Sequence, residues 1–424
     1  MKVGIIGAGF TGLSAAKKLA DAGVEVTIFE RDSKPGGLAI GFKEPNWKWS
    51  IEAHYHHWFT GDSHVKNLGE EIGHKIVYVR PKTSTLKDGE ILQLDSPFSL
   101  LKFKKLPVLE RFRTGVVLAY LKITPFWRPL EKITSKKFIR KYMGNTSWKV
   151  IWEPLFLSKF GKYAESIPAS WFWARIKTRS IYLGYPKGGY QSYVDSFVKF
   201  LKKTGKVKFV YNAKVETIDK GGKGIIIKTK TGEFNFEKVI CTLPFAVFAK
   251  ICCGLPSGYK RKLLGFESIG AVNLVLSLKK QFLTDNTYWL NVNDKMPFLI
   301  IAEHTNFMDK KYYSGERLVY VGNYLEHTHK YFKFSENELL TEFIPYLKKI
   351  NPDFRKSWVK KAYLFKAYYA QPIIPLRYSK IMPSFKTPIE GVYLANLQQT
   401  NPYDRGTEYA VANGEKVAKL VIGE

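Results

Sequence analysis

Two stretches of the chain combine residue types that can do chemistry. The first is Gly7-Ala8-Gly9-Phe10-Thr11-Gly12, a G-x-G-x-x-G spacing between an apolar run and a helical pattern. This spacing suits a pyrophosphate. The first glycine makes a tight turn, the second lets the backbone approach the anion, and the third lets helix and strand pack closely. The helix that follows offers unpaired N–H groups and the positive end of its dipole. Glu30, 18 residues past Gly12, stands where a carboxylate accepts hydrogen bonds from the hydroxyls of an adenosine ribose. The second stretch is Glu52-Ala53-His54-Tyr55-His56-His57-Trp58-Phe59. Its four metal-capable groups raise the question of a metal, and on a strand Glu52, His54 and His56 would share one face. No further histidine pair completes a ligand set, so no metal is expected. Histidine titrates near neutrality, so the stretch is also a candidate for acid–base work.

The elements that must hold these residues can be read from periodicity. Residues 2–6 form a short apolar run, Leu13, Ala16, Leu19 and Ala20 recur at helical spacing, and residues 24–30 form a second apolar run after Gly23. This predicts a β-α-β unit with the glycine loop at its first turn. Residues 207–243 alternate between turns and predict a β-meander. Residues 271–278, 298–302 and 317–322 predict strands of a second sheet, and residues 98–160 are mainly helical. A strand at 391–395 and a helix at 408–422 close the chain. Nucleotide-binding elements therefore sit at both ends with the middle inserted. The expected fold is α/β, with a discontinuous Rossmann-like domain (1–95, 185–265 and 385–424), a helical subdomain (96–184) and a mixed-sheet substrate domain (266–384).

The composition is that of a globular protein, with 45% hydrophobic and 25% charged residues. The charge is unusual: 67 basic minus 37 acidic residues gives +30. That excess predicts attraction to an anionic partner, or else reflects lysine placed on every exposed face. Cys241, Cys252 and Cys253 form neither a disulfide framework nor a metal spacing, so a reducing cytoplasm is expected. The apolar start of the chain carries the glycine spacing rather than a signal peptide, and no run approaches the roughly 18 apolar residues of a spanning helix.

Beyond Glu30 stands Pro35-Gly36-Gly37-Leu38. This arrangement resembles the flavin amine oxidase superfamily, which includes protoporphyrinogen oxidases, carotenoid desaturases and monoamine oxidases. The resemblance implies FAD, with Gly7, Ala8, Gly9, Phe10, Thr11, Gly12, Glu30, Gly36, Gly37 and Leu38 around its adenosine and pyrophosphate. Members carry Arg where this chain has Leu38, so one phosphate contact is either missing or supplied by Arg31 or Lys34. Residues 185–190 (YPKGGY) resemble the family turn that precedes the meander, and Val215 falls where the family contacts adenine. Residues 391–414 resemble the C-terminal flavin motif, with Asn396 in place of the family acid and Arg405, Gly406 and Thr407 opening the last helix toward the flavin. Residues 52–59 would pass close to the flavin ring, where His56 and His57 would tune the flavin or act as acid and base. The alternative is a core strand packed on the cofactor. UDP-galactopyranose mutases have a similar histidine–aromatic stretch. Residues 147–161 resemble the family segment that walls the substrate cavity, which nominates Trp152 and Phe156; Tyr288 and His304 are further substrate-site candidates from the second sheet.

Leu106, Leu109, Phe112, Val116 and Tyr120 form an apolar helical stripe, with Lys102, Lys104, Lys105, Arg111, Arg113 and Lys122 around it and Phe126, Trp127 and Arg128 beyond. This is the pattern of a helix lying in a membrane surface, and the alternative is a soluble helix with a solvated basic face. The expected partners are a small-molecule or lipid substrate and an anionic membrane surface on the cytoplasmic side. Nucleic acid is not expected, because no recognised binding motif accompanies the charge. The resemblance implies an FAD-dependent oxidoreductase acting on a C–C or C–N bond of a largely apolar substrate (tetrapyrrole, isoprenoid or lipid-linked). The competing expectation is a mutase-like flavoenzyme acting on a nucleotide sugar or lipid-linked sugar without net redox change.

Overall fold

Strand β1 (Lys2–Ile6), helix α1 (Phe10–Asp21) and strand β2 (Glu25–Phe29) form the predicted β-α-β unit in the computed structural model, which describes residues 1–424. With β3 (Val207–Val210), β4 (Lys238–Cys241) and β5 (Val392–Leu394) they build a five-stranded parallel sheet in the order β3-β2-β1-β4-β5. Val3, Ile5 and Ile6 of the central strand are all buried, as expected when both faces of a parallel sheet are covered. The closing helix, α5 (Thr407–Ile422), packs on α1 with the two backbones in contact. A Cβ built on Gly414 would fall 2.3 Å from the Thr11 carbonyl oxygen. The meander is shorter than the expected 207–243: Val215–Gly221, Gly224–Thr229 and Gly232–Phe236 pair antiparallel, while the flanking Val207–Val210 and Lys238–Cys241 join the parallel sheet.

The second sheet has seven strands. In spatial order they are Val359–Pro372, Ser268–Leu278, Arg317–Leu325, Ile300–Glu303, Thr287–Val292, Lys82–Lys87 and Glu90–Gln93. All residues of Ser268–Leu278 are buried. One face of the sheet packs on the helix Glu336–Ile350 through Leu339, Leu340, Phe343 and Leu347, and the other joins the main core. The expected boundary at residue 95 is displaced. Lys82–Lys87 pairs in parallel with Thr287–Val292, and Leu86 is buried in this sheet's own core, so residues 82–93 belong here and not with the nucleotide-binding strands.

The helical region includes α2 (Val108–Ile123), α3 (Glu153–Phe160) and α4 (Ala169–Thr178). A π turn at Trp148–Trp152 leads directly into α3. No helix is long and apolar enough to cross a membrane. The histidine stretch is not the strand that its alternation suggests. Only Ile51–Glu52 and Trp58–Phe59 pair with neighbours, and residues 53–57 bend between them. Glu52 consequently parts from the histidines. Its carboxyl accepts hydrogen bonds from the Tyr185 hydroxyl (2.9 Å) and the Tyr190 N–H (3.0 Å), and burial pushes its pKa up to about 8.

Candidate functional site

The glycine loop is shaped by contacts that leave no room for side chains. Gly7 has φ +102°, and a Cβ there would meet the Thr242 hydroxyl at 2.4 Å. A Cβ on Gly12 would fall 2.0 Å from the Gly7 carbonyl oxygen. Gly9 is different. A Cβ there would meet only the Cα of Gly37, at 3.8 Å, while one on Gly37 would come within 3.1 Å of the Gly9 Cα, so the two glycine pairs face each other closely. The Gly36 N–H donates to the Ala8 carbonyl (3.0 Å) and ties the two loops together. Gly9 caps α1 without a side-chain bond, and the N–H groups of residues 9–12 donate to no protein acceptor. These are the unpaired donors that an anion satisfies.

Glu30, buried at the end of β2, accepts from the Ala8 N–H (2.8 Å) and the Asp32 N–H (3.1 Å), and each oxygen keeps a lone pair for a hydroxyl. Burial raises its pKa, and these two N–H groups pull it back down. Val215 is buried beside it, where the Ala213 N–H donates to the Glu30 carbonyl (2.8 Å). Leu38 is half-buried in the turn after Gly37, and Ala8, Phe10 and Thr11 are buried. Arg31 does not replace the absent arginine: its guanidinium is exposed beside Asp32, 3.6 Å away. Lys34 is also engaged elsewhere, on the Gly41 carbonyl (2.6 Å).

A cavity of about 190 Å³ lies between the histidine bend, α3, α4, the second sheet and the start of α5. An aromatic chain links it to the glycine loop: Phe10 meets Tyr190 edge-on (6.5 Å between ring centroids), and Tyr190 meets both Trp58 (4.7 Å) and His56 (5.4 Å). Trp58 in turn donates through Nε1 to the Thr407 hydroxyl (2.6 Å). His56, His57, Arg405, Gly406 and Thr407 all line the cavity. His56 Nδ1 sits 2.5 Å from the His54 carbonyl, which can only accept, so Nδ1 holds the proton and Nε2 is left as the acceptor. His57 Nδ1 lies 3.3 Å from the Tyr288 hydroxyl. Burial lowers His56 to about 4 and His57 to about 3, so both are neutral at pH 7.

Other expected residues sit elsewhere. Tyr288 is buried behind the wall and reaches the cavity only through its hydroxyl on His57, while its neighbour Trp289 lines it. His304 is buried against Tyr313 (2.7 Å) and Tyr185, away from the cavity. Phe156 packs in the core between Trp171 and Phe160, and Trp152 packs on Phe172. The face of α3 that reaches the cavity carries Leu155 and Lys159 instead. Asn396 is committed to the backbone: Oδ1 accepts from the Gln398 N–H (2.9 Å) and Nδ2 donates to the Leu243 carbonyl (2.8 Å). Three lining cations went unnoticed in the sequence, namely Lys159, Arg175 and Arg179. Arg175 and Arg179 stand four residues apart at the end of α4, a spacing that puts both on one helix face but does not reveal a cavity.

The family model for flavin-containing amine oxidoreductases matches residues 10–422. The chain belongs to that family. A 15-cis-phytoene desaturase from Glycine max is 21% identical over 476 residues, covering 100% of this chain and 79% of the relative. The fold is that of an Exiguobacterium sp. 255-15 protein crystallised as a candidate protoporphyrinogen oxidase (TM-score 0.78, 15% identity, covering 100% of this chain and 99% of the other). It is equally that of reduced UDP-galactopyranose mutase (TM-score 0.77, 15% identity, covering 100% and 95%). The protein is an FAD-dependent oxidoreductase, and its residues fit the cofactor: the facing Gly9 and Gly37, the free N–H groups of residues 9–12 and the carboxylate of Glu30 form an anion cradle beside a ribose acceptor.

Proposed function

We propose that this flavoenzyme withdraws hydride and a proton from a C–C or C–N bond of a largely apolar substrate of the tetrapyrrole, isoprenoid or lipid-linked kind. The carrying observation is the cavity walled by Tyr55, Trp58, Phe59, Trp289 and Tyr324, linked through Tyr190 to the glycine cradle. When bound, FAD supplies the two-electron acceptor for the hydride. The aromatic walls exclude water and orient the apolar part of the substrate. His56, neutral and with Nε2 unbonded, is placed to take the proton. The cavity admits the reacting portion of a long substrate and not its full length. Likeness to a phytoene desaturase supports oxidation at a C–C bond. Anaerobic addition of a candidate substrate to the yellow holoenzyme should bleach the flavin absorbance with matching product formation. Failure to retain FAD after mild purification and titration would sink this reading.

The same enzyme is proposed to work on an anionic membrane surface, on the cytoplasmic side. Val108, Leu109, Phe112, Val116, Tyr120 and Ile123 of α2 are each exposed by half or more, and Phe126 beyond the helix is 70% exposed. Exposed Lys102, Lys104, Lys122 and Arg128 flank them. Leu106 departs from the expected stripe, being buried with Leu100, Phe103 and Ile151. Apolar anchors between cations match a bilayer with acidic headgroups. A second reading is mutase-like chemistry on a nucleotide sugar or lipid-linked sugar, which the cationic lining of the cavity favours. Turnover only after dithionite reduction, with substrate redox state unchanged, would select it.

A further inference from the structure

One end of the cavity concentrates positive charge far beyond what its own carboxylates balance. Lys159 from α3, Arg175 and Arg179 from α4 and its C-terminal cap, and Arg405 before α5 converge there. Their only ion pair is Lys159 with Asp404, at 3.6 Å. No carboxylate lies within ion-pair distance of Arg175, Arg179 or Arg405. Arg405 is held by neutral groups: Nε donates to Gln371 Oε1 (3.0 Å) and Nη2 donates to the Tyr324 hydroxyl. Arg175 and Lys159 both lie against the Trp171 ring, at 5.7 and 5.3 Å from its centroid. The remaining acids of the cavity belong to its other end and are already occupied. Asp62 accepts from the Phe59 N–H (2.9 Å), and Glu408 accepts from the N–H groups of His64 (3.1 Å) and Val65 (3.0 Å).

Holding four cations together out of bulk water is costly unless an anion joins them. The cofactor's pyrophosphate does not fill that role, because the glycine cradle has its own donors and none of its residues lines the cavity. We infer that the substrate carries a phosphate or diphosphate group, which Arg175, Arg179 and Lys159 hold while its reacting portion lies toward His56. This rests on the cavity being the substrate site proposed above. It gives that site an amphiphilic or nucleotide-linked substrate with one anionic end. Guanidinium forks suit the bidentate recognition of phosphate oxygens, and one in the last turn of α4 with another on its C-cap can grip adjacent phosphoryl groups.

The test uses the FAD-loaded full-length protein at physiological salt, titrated with inorganic pyrophosphate by calorimetry and by the flavin difference spectrum. Two further arms use uridine diphosphate and farnesyl diphosphate, to separate a nucleotide-linked source from a lipid-linked one. Saturable pyrophosphate binding that perturbs the flavin spectrum is expected. R179M should weaken it about 10-fold or more, and R175M by a similar factor, with FAD content unchanged. R175K keeps the charge and should restore part of the loss. K203Q/K260Q removes two exposed cations far from the cavity and should leave binding unaltered. Tighter binding of either diphosphate ester than of pyrophosphate identifies the source. A holoenzyme that keeps FAD but binds no pyrophosphate, or binds it equally in R175M and R179M, overturns the inference. So does equal weakening by K203Q/K260Q, which would make the binding a general effect of net charge. Loss of FAD itself would count against the flavoenzyme reading and not against the anion site.

Discussion

Replacing Gly9 by alanine separates what the glycine loop does for folding from what it does for the cofactor. Gly9 has φ −78° and ψ 178°, a conformation open to any residue. Its added Cβ would meet only Gly37 Cα, at 3.8 Å, which is ordinary contact. The apo protein should therefore tolerate the change. Restricting the unfolded chain should even stabilise it by about 0.4–1 kcal/mol. The methyl would instead stand in the space that an anion must enter to reach the N–H groups of residues 9–12. Losing one charge-assisted hydrogen bond costs about 1.5–3 kcal/mol, so FAD should bind about 10- to 150-fold more weakly. Gly12→Ala is the contrasting variant, because its Cβ would lie 2.0 Å from the Gly7 carbonyl oxygen and the loop itself would have to move. Thermal unfolding of the apo proteins and FAD titration by flavin fluorescence quenching provide both readouts. The reasoning fails if G9A retains FAD as tightly as the parent, or if apo G9A unfolds several degrees earlier.

Glu30→Gln should lower FAD affinity and loosen the loop, by about 1–3 kcal/mol, since an amide cannot accept from both the Ala8 and Asp32 N–H groups with its two ends; FAD titration and proteolysis of residues 7–12 would check this. F112E/V116E should abolish co-sedimentation with acidic vesicles while leaving FAD content unchanged, and raised salt should weaken the parent's binding. Binding of anions in the cavity should depend on pH through Lys159, which burial lowers to about 7 against the pull of Asp404, with Arg405, Arg175 and Arg179 depressing it further. Its ammonium is present below that value and lost above it. Pyrophosphate itself gains negative charge as pH rises from about 6 to 8, so the expected outcome is that the parent's affinity falls relative to that of K159M across this range.

The features legible in the sequence are those whose partners lie close along the chain. The β1-α1-β2 unit, the meander and the last strand and helix each announce themselves through local periodicity and turns, and the glycine loop through a spacing that only close packing explains. Long-range pairing was not legible. Lys82–Lys87 finds its neighbour in Thr287–Val292, some 200 residues on, and nothing local in either strand encodes that partner. The same holds for the cation cluster, which gathers residues from α3, α4 and the segment before α5. The face of α3 was not legible either: successive residues of a helix are turned by about 100°, so Trp152 and Phe156 pack in the core while Leu155 and Lys159, on the adjoining face, reach the cavity. At His54–His57 the chain bends where alternation predicted a strand, and His54 meets Asn273 (2.5 Å) instead of joining His56 and Glu52.

The contact between α1 and α5 has a temporal consequence. β5 and α5 are made long after the N-terminal cradle, yet Gly414 lies against the backbone of the first helix and Thr407 anchors Trp58 in the cavity lining. A nascent chain can form the β1-α1-β2 cradle early, but the room in which chemistry occurs has no far wall until residues 392–422 have emerged. Chains stalled before Val392 should therefore fail to hold FAD even though every glycine of the loop is present. Cofactor retention in this protein thus reports that residues 392–422 have been made and have docked on the first helix.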